Sequence, residues 1–159
     1  MTVTLDSAEV AMAQITATMR HTCNQVAGVR NAKIGKQSDY ITELEGVCGE
    51  MAFGKMTNLF LDQTIHPRSG GHDFLGRNKE KIDVKTTSCE HGHLSATLKK
   101  KREDADYYVL VIGKCPTYRI AGYASADDLL KKENIGNLGG GPSYLLSQSQ
   151  LQTYKTRSK

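Results

Sequence analysis

The 159-residue sequence predicts one domain that mixes helices with strands (α/β, of the α+β kind), and three stretches carry that expectation. Residues 38–60 place apolar side chains at helical spacing. "HDFLG" and "KIDVKTTS" flank the turn-forming "RNKE" as a hairpin would. "DYYVLVIG" is an unbroken apolar run of the kind found in a strand covered on both faces. At this length a single domain, 1–159, can bury a proper core. It divides into an N-terminal helix and basic connection (1–37), a central unit (38–124) and a C-terminal helix and loop extension (125–159).

The first helix is expected from Asp6 to about Asn24, capped by Asp6 or Ser7, with Val10, Ile15 and Met19 as its apolar contacts. A polar, basic connection, "GVRNAKIGKQ", follows. Ser38 or Asp39 then caps a second helix running to about Phe60. At 100° per residue, Ile41, Leu44, Cys48, Met51, Ala52 and Leu59 share one broad face, and Glu50 lies opposite. Gly46 and Gly54 stand four residues either side of Glu50. Each glycine costs a helix interior about 1 kcal/mol relative to alanine, so the pair suggests a close approach near that glutamate. Glu45, inside the apolar face, is the other candidate for an inward carboxylate.

In the hairpin, with Asp73 paired near Lys85, strand alternation puts Asp73, Asp83 and Lys85 on one face and Phe74, Ile82 and Val84 on the other. Charges within a core strand are costly unless paired or bound to something. Beyond the hairpin, Leu94 to Lys101 reads equally as strand or short helix. "TYRIAGYA" is the expected neighbour of "DYYVLVIG". Ser125 caps a short helix, "GNLGGGPS" is a loop, and "SQSQLQTYK" is read as a final helix.

Composition narrows the function classes. The chain is 38% apolar and 24% charged, with a net charge of +4 and no tryptophan. No apolar run reaches bilayer length, so no membrane partner is expected. No basic start precedes an apolar core, so a cytoplasmic location is expected rather than secretion. The four cysteines, Cys23, Cys48, Cys89 and Cys115, form no Cys-x-x-Cys pair and read as reduced, small apolar residues. Basic residues cluster at Arg30, Lys33 and Lys36 and again at Lys99, Lys100, Lys101 and Arg102, where they would meet a phosphate backbone.

Two aspartates and a glutamate beside a lysine make chemical sense around a divalent cation. Magnesium takes hard oxygen ligands and is usually held by one or two carboxylates plus a substrate phosphate. A charged lysine is no ligand, but it offsets negative charge on a reacting phosphate or positions a water. Asp-x-Lys on a strand delivers both functions to one face.

The order Glu50, Asp73, Asp83-Val84-Lys85 resembles the PD-(D/E)XK nuclease superfamily. The helix "GVCGEMAFGK" and the pair "DADYYVLVIG…YRIAGYAS" look like its small phage-type members. The resemblance spans about Asp39 to Ala124, the expected nuclease core. It implies a restriction-endonuclease-like mixed central sheet flanked by helices in the order αβββαβ, here with an extra N-terminal helix. It also implies metal-dependent cleavage of DNA, with magnesium as cofactor and manganese as its substitute. Asp73 and Asp83 would be metal ligands, Lys85 the catalytic lysine and Glu50 an auxiliary metal or water ligand. His72 stands where the family often has proline. Host cytoplasm would be the location if a phage encodes the chain.

Other motifs carry less. Glu90, His91 and His93 form a compact set that His66 or His72 would have to complete as a metal site. "LGGGPS" lacks the lysine and Ser/Thr of a P-loop. Tyr107 and Tyr108 read as sheet packing, and Thr86, Thr87 and Ser88 as strand residues within reach of a phosphate. The competing class is a catalytically inactive nucleic-acid- or protein-binding module on the same scaffold. Substrate structure, endo- or exonucleolytic action, and DNA or RNA preference stay open. A junction-cutting role would call for a homodimer.

Overall fold

The computed structural model describes residues 2–29, 36–65, 67 and 71–154. The elements run β1 (Thr2–Thr4), α1 (Ser7–Val26), α2 (Asp39–Thr57), β2 (Phe74–Leu75), β3 (Lys81–Thr87), β4 (Leu94–Thr97), β5 (Tyr107–Lys114), β6 (Thr117–Ser125), α3 (Ala126–Leu129), β7 (Ile135–Asn137) and β8 (Pro142–Leu146). Five strands form a sheet in the order β1-β6-β5-β3-β2, and β4-β8-β7 form a second, three-stranded sheet. Within the large sheet β3 and β5 are parallel and the other pairs antiparallel. The fold is therefore α+β, built on a mixed sheet.

The apolar run of β5 follows from its place between two cores. Val109 and Val111 pack with α1, α2 and Phe74, Ile82 and Val84. Tyr108, Leu110 and Ile112 pack on the opposite face with Leu94, Ala96, Leu129 and Leu146. Alternation along one strand thus fills both layers, which is why no polar residue interrupts it.

Asp6 caps α1 through a full capping box: its side chain accepts from the Ala8 and Glu9 amides, and Glu9 accepts from the Asp6 amide at 2.7 Å. The packed face differs from the expected one. Ala13, Ala17 and Asn24 are buried and Val10 is partly so, whereas Ile15 and Met19 face solvent. Small side chains let α1 lie close on α2, and that contact outranks the larger apolar residues. Ser38 caps α2 by accepting from the Ile41 amide, and Asn58 ends it in the left-handed conformation.

Two further expectations give way. The connection from β3 to β5 has no helix where the αβββαβ order would place one; it holds β4 and turns instead. That connection is tied back to β3, because the Lys81 amide donates to Asp106 and the Asp106 amide to the Lys81 carbonyl. The last expected helix is a single 3-10 turn, Gln148–Gln150, followed by a bridge from Gln152 to Tyr123.

Packed by α1 on one side and the sheet on the other, α2 buries Glu43 and Glu50 along with Val47, Cys48, Ala52 and Phe53. The glycine that permits this is Gly49. A Cβ there would lie 2.0 Å from Thr86 Oγ1, whereas one at Gly46 would meet nothing. At Gly54 it would come 3.2 Å from both the Leu59 carbonyl and the Phe74 ring. Close approach of α2 to β3 at Gly49 and Thr86 brings the neighbouring Glu50 to the charged strand. Gly49→Ala should therefore lower stability by about 1–3 kcal/mol through overpacking. In urea unfolding, Thr86→Ala in the same chain should recover part of that loss; an unchanged midpoint for Gly49→Ala would contradict the contact.

Candidate active site

β3 sets the site. Ile82, Val84 and Thr86 turn toward α2, which leaves Asp83 and Lys85 on the other face by alternation. Asp83 is 3% exposed. Its Oδ1 lies 2.5 Å from Lys85 Nζ and its Oδ2 2.7 Å from Lys100 Nζ. Both carboxylate oxygens of Asp83 are thus ion-paired, one to each lysine. Lys85 keeps 32% of its side chain open to solvent and Lys100 15%.

Asp73 precedes β2 at the sheet edge. The ladder pairs Phe74 with Ile82, so the register continues with Asp73 across from Asp83, two residues from the position expected beside Lys85. Its Oδ2 accepts from the Val84 amide at 2.7 Å, and its own amide donates to the Ile82 carbonyl at 2.8 Å. These two bonds hold the carboxylate against the backbone of the Asp-x-Lys segment.

Glu50 reaches the same neighbourhood from α2, where Arg20 Nη1 donates to its Oε2 at 2.7 Å and its Oε1 at 3.0 Å. Glu45 goes elsewhere. It accepts from the Tyr118 hydroxyl at 2.6 Å and from the Cys115 amide, next to the free thiols of Cys48 and Cys115. The choice between the two helical glutamates thus falls to Glu50 on position.

The charges perturb one another. Burial pushes the Glu50 carboxyl above its ordinary range, opposed by Arg20 and Lys85 and reinforced by Asp83. Burial, with the charges of Glu50 and Asp83, holds Asp73 well above the usual aspartate range, against the pull of Lys85 and the Val84 amide. For Lys85, burial lowers the pKa, but Asp83, Asp73 and Glu50 outweigh it and the net shift is upward.

The carboxylates of Asp73 and Asp83, brought to facing positions of the hairpin, are hard oxygen donors of the kind a divalent cation takes. Among the described residues no three His, Cys, Asp or Glu side chains form a ready-made metal cluster. Asp73 and Asp83 with waters and a phosphate make up the smaller set magnesium commonly takes. The Glu90, His91 and His93 set does not assemble either: Glu90 is bound by Arg119, and His66 lies outside the described residues.

Of the basic residues, Arg30 and Lys33 lie outside the described residues. Lys36, Lys99 and Lys101 are exposed. Lys100 departs from the solvent-facing role expected of it. Its amide closes a turn onto the Thr97 carbonyl, and its ammonium points inward to Asp83 and the Gly71 carbonyl. Arg20, Lys100 and Gly49 were not expected at the site. Lys100 sat inside a run of like charges, and Arg20 was an ordinary polar position on a helix.

No protein-family model matches this chain, and no curated protein matches its sequence.

The raised Asp73 carboxyl has a stability consequence. A carboxyl whose folded-state pKa exceeds its unfolded value contributes fully below the unfolded value, and that contribution is lost as pH rises through the folded one. In chelator, Asp73→Asn should therefore melt higher than the parent at neutral pH, with the difference vanishing below about pH 4. Thermal melts across pH check this, and a variant that melts lower at every pH would contradict it.

Proposed function

We propose that this protein is a divalent-metal-dependent deoxyribonuclease. The observation that carries the reading is the convergence at one sheet edge. Asp73 is hydrogen-bonded to the backbone of Asp83-Val84-Lys85, the Asp83 carboxylate touches Lys85, and Glu50 is electrostatically coupled to all three.

Asp73 and Asp83 would hold the metal, with Glu50 as an auxiliary ligand directly or through water. Bound magnesium would polarise the scissile phosphate and make a water more acidic. Lys85, beside Asp83 and partly open to solvent, would stabilise the negative charge that grows on the phosphate oxygens. Arg20 orients Glu50 and limits its charge repulsion with Asp73. Exposed Lys36, Lys99 and Lys101 would meet the DNA backbone, giving a strongly salt-dependent affinity. A phosphate entering beside Asp83 would also compete for Lys100.

One observation favours a second reading. Asp83 and Glu50 already have cationic partners from the chain itself, so the network also suits an inactive, structurally neutralised nuclease scaffold that binds nucleic acid or protein.

Digestion of a four-way junction, linear duplex, single strand and supercoiled plasmid, with magnesium, manganese or chelator, separates the two. Metal-dependent cutting is expected, and Lys85→Met should reduce it at least ~100-fold with the fold retained. Magnesium should also raise the melting temperature of the parent chain and not of Asp83→Asn. No cutting of DNA or RNA, together with no effect of magnesium on melting, would overturn the nuclease reading in favour of the scaffold.

A further inference from the structure

The outward face of α1 is unlike an ordinary solvated helix surface. Met12 is 51% exposed, Ile15 63%, Met19 51% and Val26 85%. Their spacings of three, four and seven are those of a two-helix seam. At 100° per residue, Ala8, Met12, Ile15, Met19, Thr22 and Val26 form one stripe, opposite the buried Ala13 and Ala17. The residues flanking the stripe, Ala11, Thr16, Thr18 and Cys23, are uncharged. The two charged residues of α1 are both turned away, Glu9 to Lys55 and Arg20 to Glu50. A helix face some 27 Å long, at ~1.5 Å per residue, is therefore presented to solvent without a charge.

We propose that α1 is a self-association surface, pairing antiparallel with α1 of a second copy of this chain. The rim chemistry selects that occupant. A membrane-surface helix carries lysines and arginines around its apolar face, and this one has none. A foreign protein partner chosen by charge would find no charge to read. Two copies meet with no like-charge penalty, and a two-fold arrangement matches the same patch to itself.

The antiparallel sense follows from size and dipole. It sets Ala8 against Val26, Met12 against Thr22 and Ile15 against Met19, large beside small along most of the seam, and it opposes the helix dipoles. Two helices in contact over this length bury on the order of 1,000 Å² in total, the lower limit for a specific interface. The dimer is accordingly weak and concentration-dependent. This inference stands apart from the nuclease reading, because no residue of the seam belongs to the candidate site.

Sedimentation equilibrium over a wide concentration range tests it. The parent chain is expected to pass from monomer to dimer as concentration rises. Ile15→Glu/Met19→Glu and Ile15→Lys/Met19→Lys should each stay monomeric, with unchanged circular dichroism and the melting temperature the parent has at concentrations where it is monomeric. An equimolar mixture of the two should associate again. A parent chain that is monomeric throughout, a dimer that survives both double variants, or a mixture that stays monomeric would overturn the proposal.

Discussion

A nearly inaccessible carboxylate gripped by two ammonium groups is the constraint on which this end of the molecule depends. Asp83 sits in mid-strand, where an unpaired charge would cost several kcal/mol, and Lys85 and Lys100 offset it from two directions. Lys85 is local, two residues along the same strand. Lys100 is remote, carried by the connection that joins the parallel strands β3 and β5. The pair Asp83–Lys100 therefore fastens that connection over the strand, alongside the bonds from Lys81 to Asp106. A parallel pair needs a long crossover, and here side-chain charge and short turns do what a packed helix does in many α/β units.

The same edge concentrates more negative charge than a stable core needs. Three carboxyl groups press on one another, and two have their pKa values raised by burial and by their neighbours. Arg20, Lys85 and Lys100 balance them in number. Replacing such a network with apolar residues is often neutral or stabilising. On the proposed nuclease reading, the network is retained for its chemistry as well as for fastening the connection. On that reading a divalent cation would replace the lysines as counter-ion to Asp83, and a phosphate would take up the lysines so released.

What was legible in the sequence is what local pattern controls. The cap of α1 at Asp6 or Ser7, the two-sided run of β5 and the Asp-x-Lys alternation each follow from a few adjacent residues. Long-range pairing was hidden. Three consecutive lysines at 99–101 look alike until a turn at Thr97 sends only the middle one inward. Glu45 and Glu50 differ by where α1 and the β5–β6 turn lie, with Arg20 waiting at one and Tyr118 at the other. Glycine spacing pointed to Gly46 and Gly54, whereas the tightest contact is at Gly49, because Thr86 is what it faces. On α1 the large apolar residues suggested the core face, and the alanines took it.

Calorimetric titration of manganese into the chelator-stripped protein, in two buffers of different ionisation enthalpy at neutral pH, asks whether Asp73 and Asp83 hold a cation. Binding is expected, accompanied by proton release and abolished by Asp83→Asn. Folded protein that takes up no manganese would contradict it, and would identify Lys85 and Lys100 as permanent structural counter-ions of Asp83.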